Sequence, residues 1–128
     1  MTRFIRGIGP AEWTFRLPVP PSLNGAYATI TRGGRPVRVP SRTLAKFKRE
    51  CAKALHMQKR PPVPIAGPVS AHIWIERQRG DLDNRIKAAL DAIVSARIIS
   101  DDKNITRITA EWGTADLTGC TITIEVLT

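Results

Sequence analysis

The segment 81-DLDNRIKAALDAIVSARIISDD-102 carries Asp81, Asp83, Asp91, Asp101 and Asp102 and no glutamate. Carboxylates gathered at one spot repel one another, so either their pKa values rise or a cation neutralises them. Oxygen donors without histidine or cysteine favour Mg²⁺, with Mn²⁺ as a substitute. Such an ion activates water and stabilises charge on a phosphate in transfer. Lys87 follows Asp83 by one helical turn and suits a contact to the scissile phosphate or to developing charge. An EF-hand is excluded, because position 6 from Asp81 is Ile86 rather than glycine and position 12 is Ala92 rather than glutamate. Each residue also has a plainer role. Asp83 suits a helix cap, Asp91 a solvated partner of Lys87 or Arg97, and Asp101-Asp102 a turn.

Net charge supplies the second clue. The chain carries +9 over 128 residues. Residues 1–60 hold 13 Lys/Arg against Glu12 and Glu50, whereas residues 61–128 hold 7 Lys/Arg against nine acids, which is +11 against −2. A basic surface of this kind attracts nucleic acid, with a membrane surface or plain solubility as the alternatives. Arg32, Arg35 and Arg38 recur every third residue and, in an extended loop, would track a strand of phosphates. Arg42, Lys46, Lys48, Arg49 and Lys53 would extend that patch along a helix. Such contacts position DNA without reading sequence. Tyr27 suits a packed turn aromatic better than a stacking platform for an unpaired base.

These residues need elements to place them. Trp13, Phe15 and Leu17 alternate as in a strand, and the prolines of 18-PVPPSLN-24 then stop regular structure. Residues 24–41 read as a hairpin or long loop around Gly33-Gly34. Ser41 suits the N-cap of a helix to about Gln58, with Leu44, Phe47, Cys51 and Leu55 as its buried stripe. Residues 60–68 form a stiff linker, and 69–77 a strand apolar enough to be central. A second helix is expected from about Asp83 to Arg97, burying Ile86, Leu90, Ile93 and Val94. Residues 105–112 and 119–127 read as an antiparallel hairpin. The expectation is an α+β fold in β-α-β-α-β-β order, with a mixed sheet of about four strands and two helices on one face. If strands 69–77 and 105–112 are neighbours, the start of the second brings Asp102 beside the end of the first.

The length suits one domain. No apolar run approaches the ~20 residues of a membrane span, and the N-terminus lacks an apolar h-region, so a cytoplasmic protein is expected. Cys51 and Cys120 match no metal spacing and read as buried free thiols. His56 and His72 are too few for a zinc site.

The chain resembles the RusA-type Holliday-junction resolvases, small phage- and prophage-associated endonucleases. The resemblance rests on 17-LPVPPSLN-24, then 81-DLDNRIKAALDAI-93, then Asp101-Asp102 with Ile105 soon after. It implies a single endonuclease domain over residues 1–128 and a homodimer that nicks four-way DNA junctions symmetrically, using Mg²⁺ or Mn²⁺. By the same resemblance Asp81, Asp83 and Asp102 are the essential carboxylates and metal ligands, Lys87 is the essential lysine, and Asp91 is a supporting acid. The four-way junction comes from the resemblance alone; spacing and composition reach a metal-dependent nuclease. The alternatives are a non-catalytic basic DNA-binding module and a metal-dependent nuclease acting on other branched or duplex nucleic acid.

Overall fold

The structure, a computed structural model, describes residues 3–24 and 27–127. Gly25 and Ala26, at the start of the expected hairpin segment, lie outside the described residues. After a short ribbon of β1 (Phe4–Ile5) and β2 (Gly9–Pro10), the chain enters β3 (Glu12–Leu17). There the alternation seen in the sequence becomes a strict exposed–buried pattern, with Trp13, Phe15 and Leu17 inward. Strand β6 (Val69–Ile75) buries Val69, Ala71, Ile73 and Ile75, and β8 (Cys120–Val126) buries Cys120, Ile122, Ile124 and Val126. Period-2 alternation of this kind places every apolar side chain on one face of a sheet. That face is covered by α1 (Arg42–His56) and α2 (Asp83–Ser95), which complete one hydrophobic core.

The expected α1 stripe is observed, with Leu44, Phe47, Cys51 and Leu55 all buried. Ser41 caps the helix, its hydroxyl accepting from the Leu44 N–H at 3.3 Å. Helix α2 is shorter than expected. It stops at Ser95, and Arg97 turns the chain with a left-handed φ of 63°. Its buried residues are Ala88, Ala89, Leu90 and Ile93; Ile86 and Val94 remain half-buried.

The sheet is mixed and four-stranded, in the order β3-β8-β6-β7, where β7 is Ile105–Trp112. This corrects one sequence expectation. Segments 105–112 and 119–127 do not pair with each other. Strand β8 lies between β3 and β6 and is antiparallel to both, while β7 pairs with β6 in parallel. The reason is the helix between β6 and β7. A strand–helix–strand unit returns the chain to the end where it began, so the second strand runs parallel to the first. Alternation reports which face is buried, not which neighbour is bonded, so the sequence pattern was blind to this choice.

Strands β4 (Tyr27–Arg32) and β5 (Arg35–Pro40) form a separate two-stranded hairpin turning at Gly33-Gly34, as expected.

Candidate active site

The end of β6 delivers the chain into the acidic segment. Strand and following turn are pinned there by Glu76. Its N–H donates to the Gly119 carbonyl at 2.8 Å, and its carboxylate accepts from the Gly119 N–H at 2.8 Å. Glycine is required at that point: φ is +74°, and a Cβ would sit 2.6 Å from the Leu17 carbonyl oxygen. The chain then turns at Gly80, where φ is +90°, and presents Asp81 to solvent. Asp83 is the first residue of α2, not its N-cap, a position held by Leu82 without any side-chain cap bond. An aspartate in the first turn still interacts favourably with the helix dipole. Its carboxylate is nevertheless spared from capping and is exposed. Lys87 and Asp91 follow on the same side of the helix, with Lys87 Nζ 3.5 Å from Asp91 Oδ1.

Asp102 arrives from the other wall. It opens the 3₁₀ turn Asp102–Asn104 that leads into β7. Asp101 caps this turn: the Lys103 N–H donates to its Oδ1 at 3.0 Å. That backbone hydrogen bond, helped by a side-chain hydrogen bond with Asp102, holds the Asp101 carboxyl below its ordinary pKa. Asn104 donates to Ser100 Oγ at 2.9 Å, and the linker residue Ile65 bridges to Ile99. The linker expected at 60–68 therefore also pins the segment that carries Asp102.

Between α2 and β7 these walls enclose a cleft of about 390 Å³ lined by Asp83, Ile86, Lys87, Leu90, Asp91, Asp102, Ile105 and Ile108. Three expected acids and the expected lysine thus share one cleft; Asp81 is not among its lining residues. The half-buried state of Ile86 follows from its place in this wall.

The arrangement within the cleft differs from the sequence expectation. Because β6 and β7 are parallel, Ile105 lies beside Val69, at the start of β6, and Trp112 lies beside Ile75, at its end. Asp102 therefore belongs to the end of the sheet where β6 begins, whereas Asp81 and Asp83 follow the end where β6 finishes. Eight residues of helix separate Asp83 from Asp91, about 12 Å of rise. Among the described residues no three His, Cys, Asp or Glu side chains are close enough to hold a metal ion together. The donors are of the right kind for a hard divalent cation, all carboxylate oxygens. One copy of the chain does not bring them to a single point.

The expected DNA-binding residues divide in the same way. Arg32 and Arg35 are paired across the hairpin next to its turn, on the face of Ile30 and Val37. Arg38 lies on the opposite face, its guanidinium 4.4 Å from the Tyr27 ring centre. In a strand, residues an odd number apart point to opposite sides, so the three arginines do not form one row. On α1, Arg42, Lys46, Arg49 and Lys53 recur at steps of three and four and share an exposed face. Lys48 is turned away from them, into a groove between α1 and α2 that Asp91 and Asp102 also line.

Residues 18–125 match the family model for the endodeoxyribonuclease RusA. The chain belongs to the RusA endodeoxyribonuclease family. The match covers the proline-rich segment, both helices, β6, β7, nearly all of β8 and every acid of the cleft. Strand β3, an edge of the sheet, precedes it. No curated protein matches the chain. RusA membership implies an endonuclease that resolves Holliday junctions. No helix among the described residues is long and apolar enough to cross a membrane. Arg85, whose guanidinium ties the first turn of α2 to two other segments, was missed by sequence reasoning. Only its place inside the acidic motif hinted at a role, because its partners are backbone carbonyls, one of them 65 residues away.

Proposed function

We propose that the protein resolves four-way DNA junctions in the cytoplasm as a homodimer, by paired nicking that depends on Mg²⁺, with Mn²⁺ as a substitute. The observation that supports this reading is the shared cleft, which Asp83, Lys87, Asp91 and Asp102 all line in a chain of the RusA family. Asp81, Asp83 and Asp102 are the residues that would hold the ion, and a bound ion of this type supplies an activated water and charge stabilisation at phosphate. Lys87 contributes a cation for the scissile phosphate, its charge tempered by Asp91 at 3.5 Å. The hairpin tip and the exposed face of α1 hold the DNA backbone.

The separation of Asp102 from Asp81 and Asp83 favours a site completed by a second copy. Two copies related by a two-fold axis and set antiparallel along their α2–β7 clefts would bring the Asp102 end of each to the Asp83 end of the other. Strand β7 is an unpaired edge of the sheet, and Ile108 on it is 50% exposed. The open strand edge favours coverage by a partner. A closed two-fold pair also matches a substrate cut at two symmetric positions.

The deciding experiment incubates labelled four-way, flap and linear DNA with the purified protein, with Mg²⁺ or with chelator. Symmetric nicks on the four-way junction that vanish on chelation are expected. Equal cleavage of linear duplex, or Mg²⁺-indifferent binding without nicks, would defeat the proposal. The two-copy site has its own test. Asp83→Asn and Asp102→Asn proteins are each inactive alone. In a mixed dimer one site carries both changes and the other carries neither, so mixing restores single nicks. If each copy holds a whole site, mixing restores nothing.

A further inference from the structure

The proline-rich segment 18-PVPPSLN-24 has no part in the chemistry described above, yet its contacts are specific. The Leu23 N–H donates to the Asn84 carbonyl at 2.8 Å. Arg85 Nη1 donates to the Pro20 carbonyl at 2.8 Å, and Nη2 donates to the Arg79 carbonyl at 3.1 Å. One guanidinium therefore joins three pieces of chain: the proline-rich turn, the end of the loop after β6, and the first turn of α2.

What lies between those anchors is the paired-aspartate loop. Arg79 and Arg85 bracket Gly80–Asn84, which contains both Asp81 and Asp83. Besides the Arg85 fork, the Leu23–Asn84 bond and the packing of Leu82 against the core hold this stretch. Helix α2 starts without a side-chain cap, so the usual device for fixing a helix N-terminus is missing. Gly80 lets the chain turn at a φ of +90°, which other residues rarely adopt, but it makes no contact that fixes the carboxylates. The turn at 18–24 is the opposite case, stiffened by Pro18, Pro20 and Pro21. The stretch bearing Asp81 and Asp83 is thus tied to a proline-stiffened turn. The geometry needs a planar fork. Arg85 reaches two carbonyls on different segments at once, while its Nε is buried and makes no bond. A lysine offers a point charge on a flexible stem and cannot reproduce that span.

We infer that Arg85 is a positioning residue of the active site: it latches the loop carrying Asp81 and Asp83 to the proline-rich turn and so sets where those carboxylates stand. The inference rests on the metal-dependent cleavage proposed above.

The test compares the full-length protein with Arg85→Lys and Arg85→Gln. Four quantities are measured: junction Kd, kcat and KM for cleavage, Mn²⁺ bound at equilibrium by electron paramagnetic resonance, and amide exchange across residues 79–85. Supports behind metal ligands are typically worth ~10–100-fold in affinity or activity. The expected result is a kcat lowered and a Mn²⁺ dissociation constant raised, each by about tenfold or more on that scale. KM and junction Kd should stay within about threefold, since the phosphate contacts proposed for the hairpin and α1 are untouched. Exchange at 80–84 should accelerate in both variants. Wild-type kcat and Mn²⁺ affinity in both variants would overturn the inference. So would loss of folding in both, which would make Arg85 a residue of the fold alone. If the wild-type protein cleaves no branched DNA, the proposed activity fails by itself, and Mn²⁺ binding and amide exchange still decide the role of Arg85.

Discussion

Helices α1 and α2 lie side by side on the same face of the sheet, yet their first turns are held differently. In α1 the cap is local: Ser41 sits just before the helix and accepts the Leu44 N–H. In α2 no side chain caps the start, and the fixing bonds come from Arg85 and Leu23 across the tertiary structure. The contrast follows from what each helix carries. The α1 surface needs only to present cations, so self-sufficient capping costs it nothing. At the start of α2 the polar side chain is Asp83, and an aspartate engaged as a cap would be less available for other work. Moving the support to distant carbonyls leaves that carboxylate exposed.

Four measurements break or sharpen this comparison. The largest effect is expected on α2. Asp83→Asn should lower cleavage by ~10²–10³-fold or more, as for removal of a group aimed at transition-state charge. Thermal stability should change little, because only a first-turn dipole interaction of ~0.3–1 kcal/mol is lost. Junction binding should hold or tighten, since a negative charge near phosphate is gone; full activity in this variant would remove Asp83 from the site. The reverse pattern is expected on α1. Leu55→Ala, at a fully buried position, should cost ~2–5 kcal/mol in denaturant unfolding, while the surviving folded fraction cleaves normally. Smaller again, Ser41→Ala should cost ~1 kcal/mol, with no change in metal requirement. A comparable loss of cleavage would mean that α1 is coupled to the site more tightly than its surface role allows.

The last measurement concerns the thiols. Burial pushes both Cys51 on α1 and Cys120 on β8 up to about 12 from an ordinary 9.0. For a pKa raised on folding, the stabilisation is complete below the unfolded value and is lost as pH rises toward the folded one. Stability should therefore be insensitive to these thiols up to pH 9 and should fall between about 9 and 12. The Cys51→Ala, Cys120→Ala double variant should fall less steeply there. Modification of either thiol by a thiol reagent in the native protein at pH 7 would contradict their burial.

How much was readable before any coordinates depended on the range of the interaction. Ser41, Leu44, Phe47, Cys51 and Leu55 were legible because capping and a helical stripe are set within a few residues. Trp13, Phe15 and Leu17 were legible because alternation is local too, and the acidic motif stood out through residue type and spacing. Strand partners were not, because β7 and β8 have similar alternation and differ only in what they lie beside. That one topological fact sends Asp102 to the far end of the cleft from Asp83, and no residue near Asp102 signals it. The division between Arg38 and the Arg32–Arg35 pair likewise needed the hairpin register.

From its residues alone this chain declares its two helices, its alternating strands, its charge asymmetry and its cluster of acids, since each is written in short-range order. Only the folded arrangement decides that β8 parts β3 from β6, that Arg85 reaches Pro20, and that the acids line a cleft without closing on one point. Hydrogen bonds and strand pairings between distant segments depend on how the whole chain packs, and packing is a property of all the contacts together.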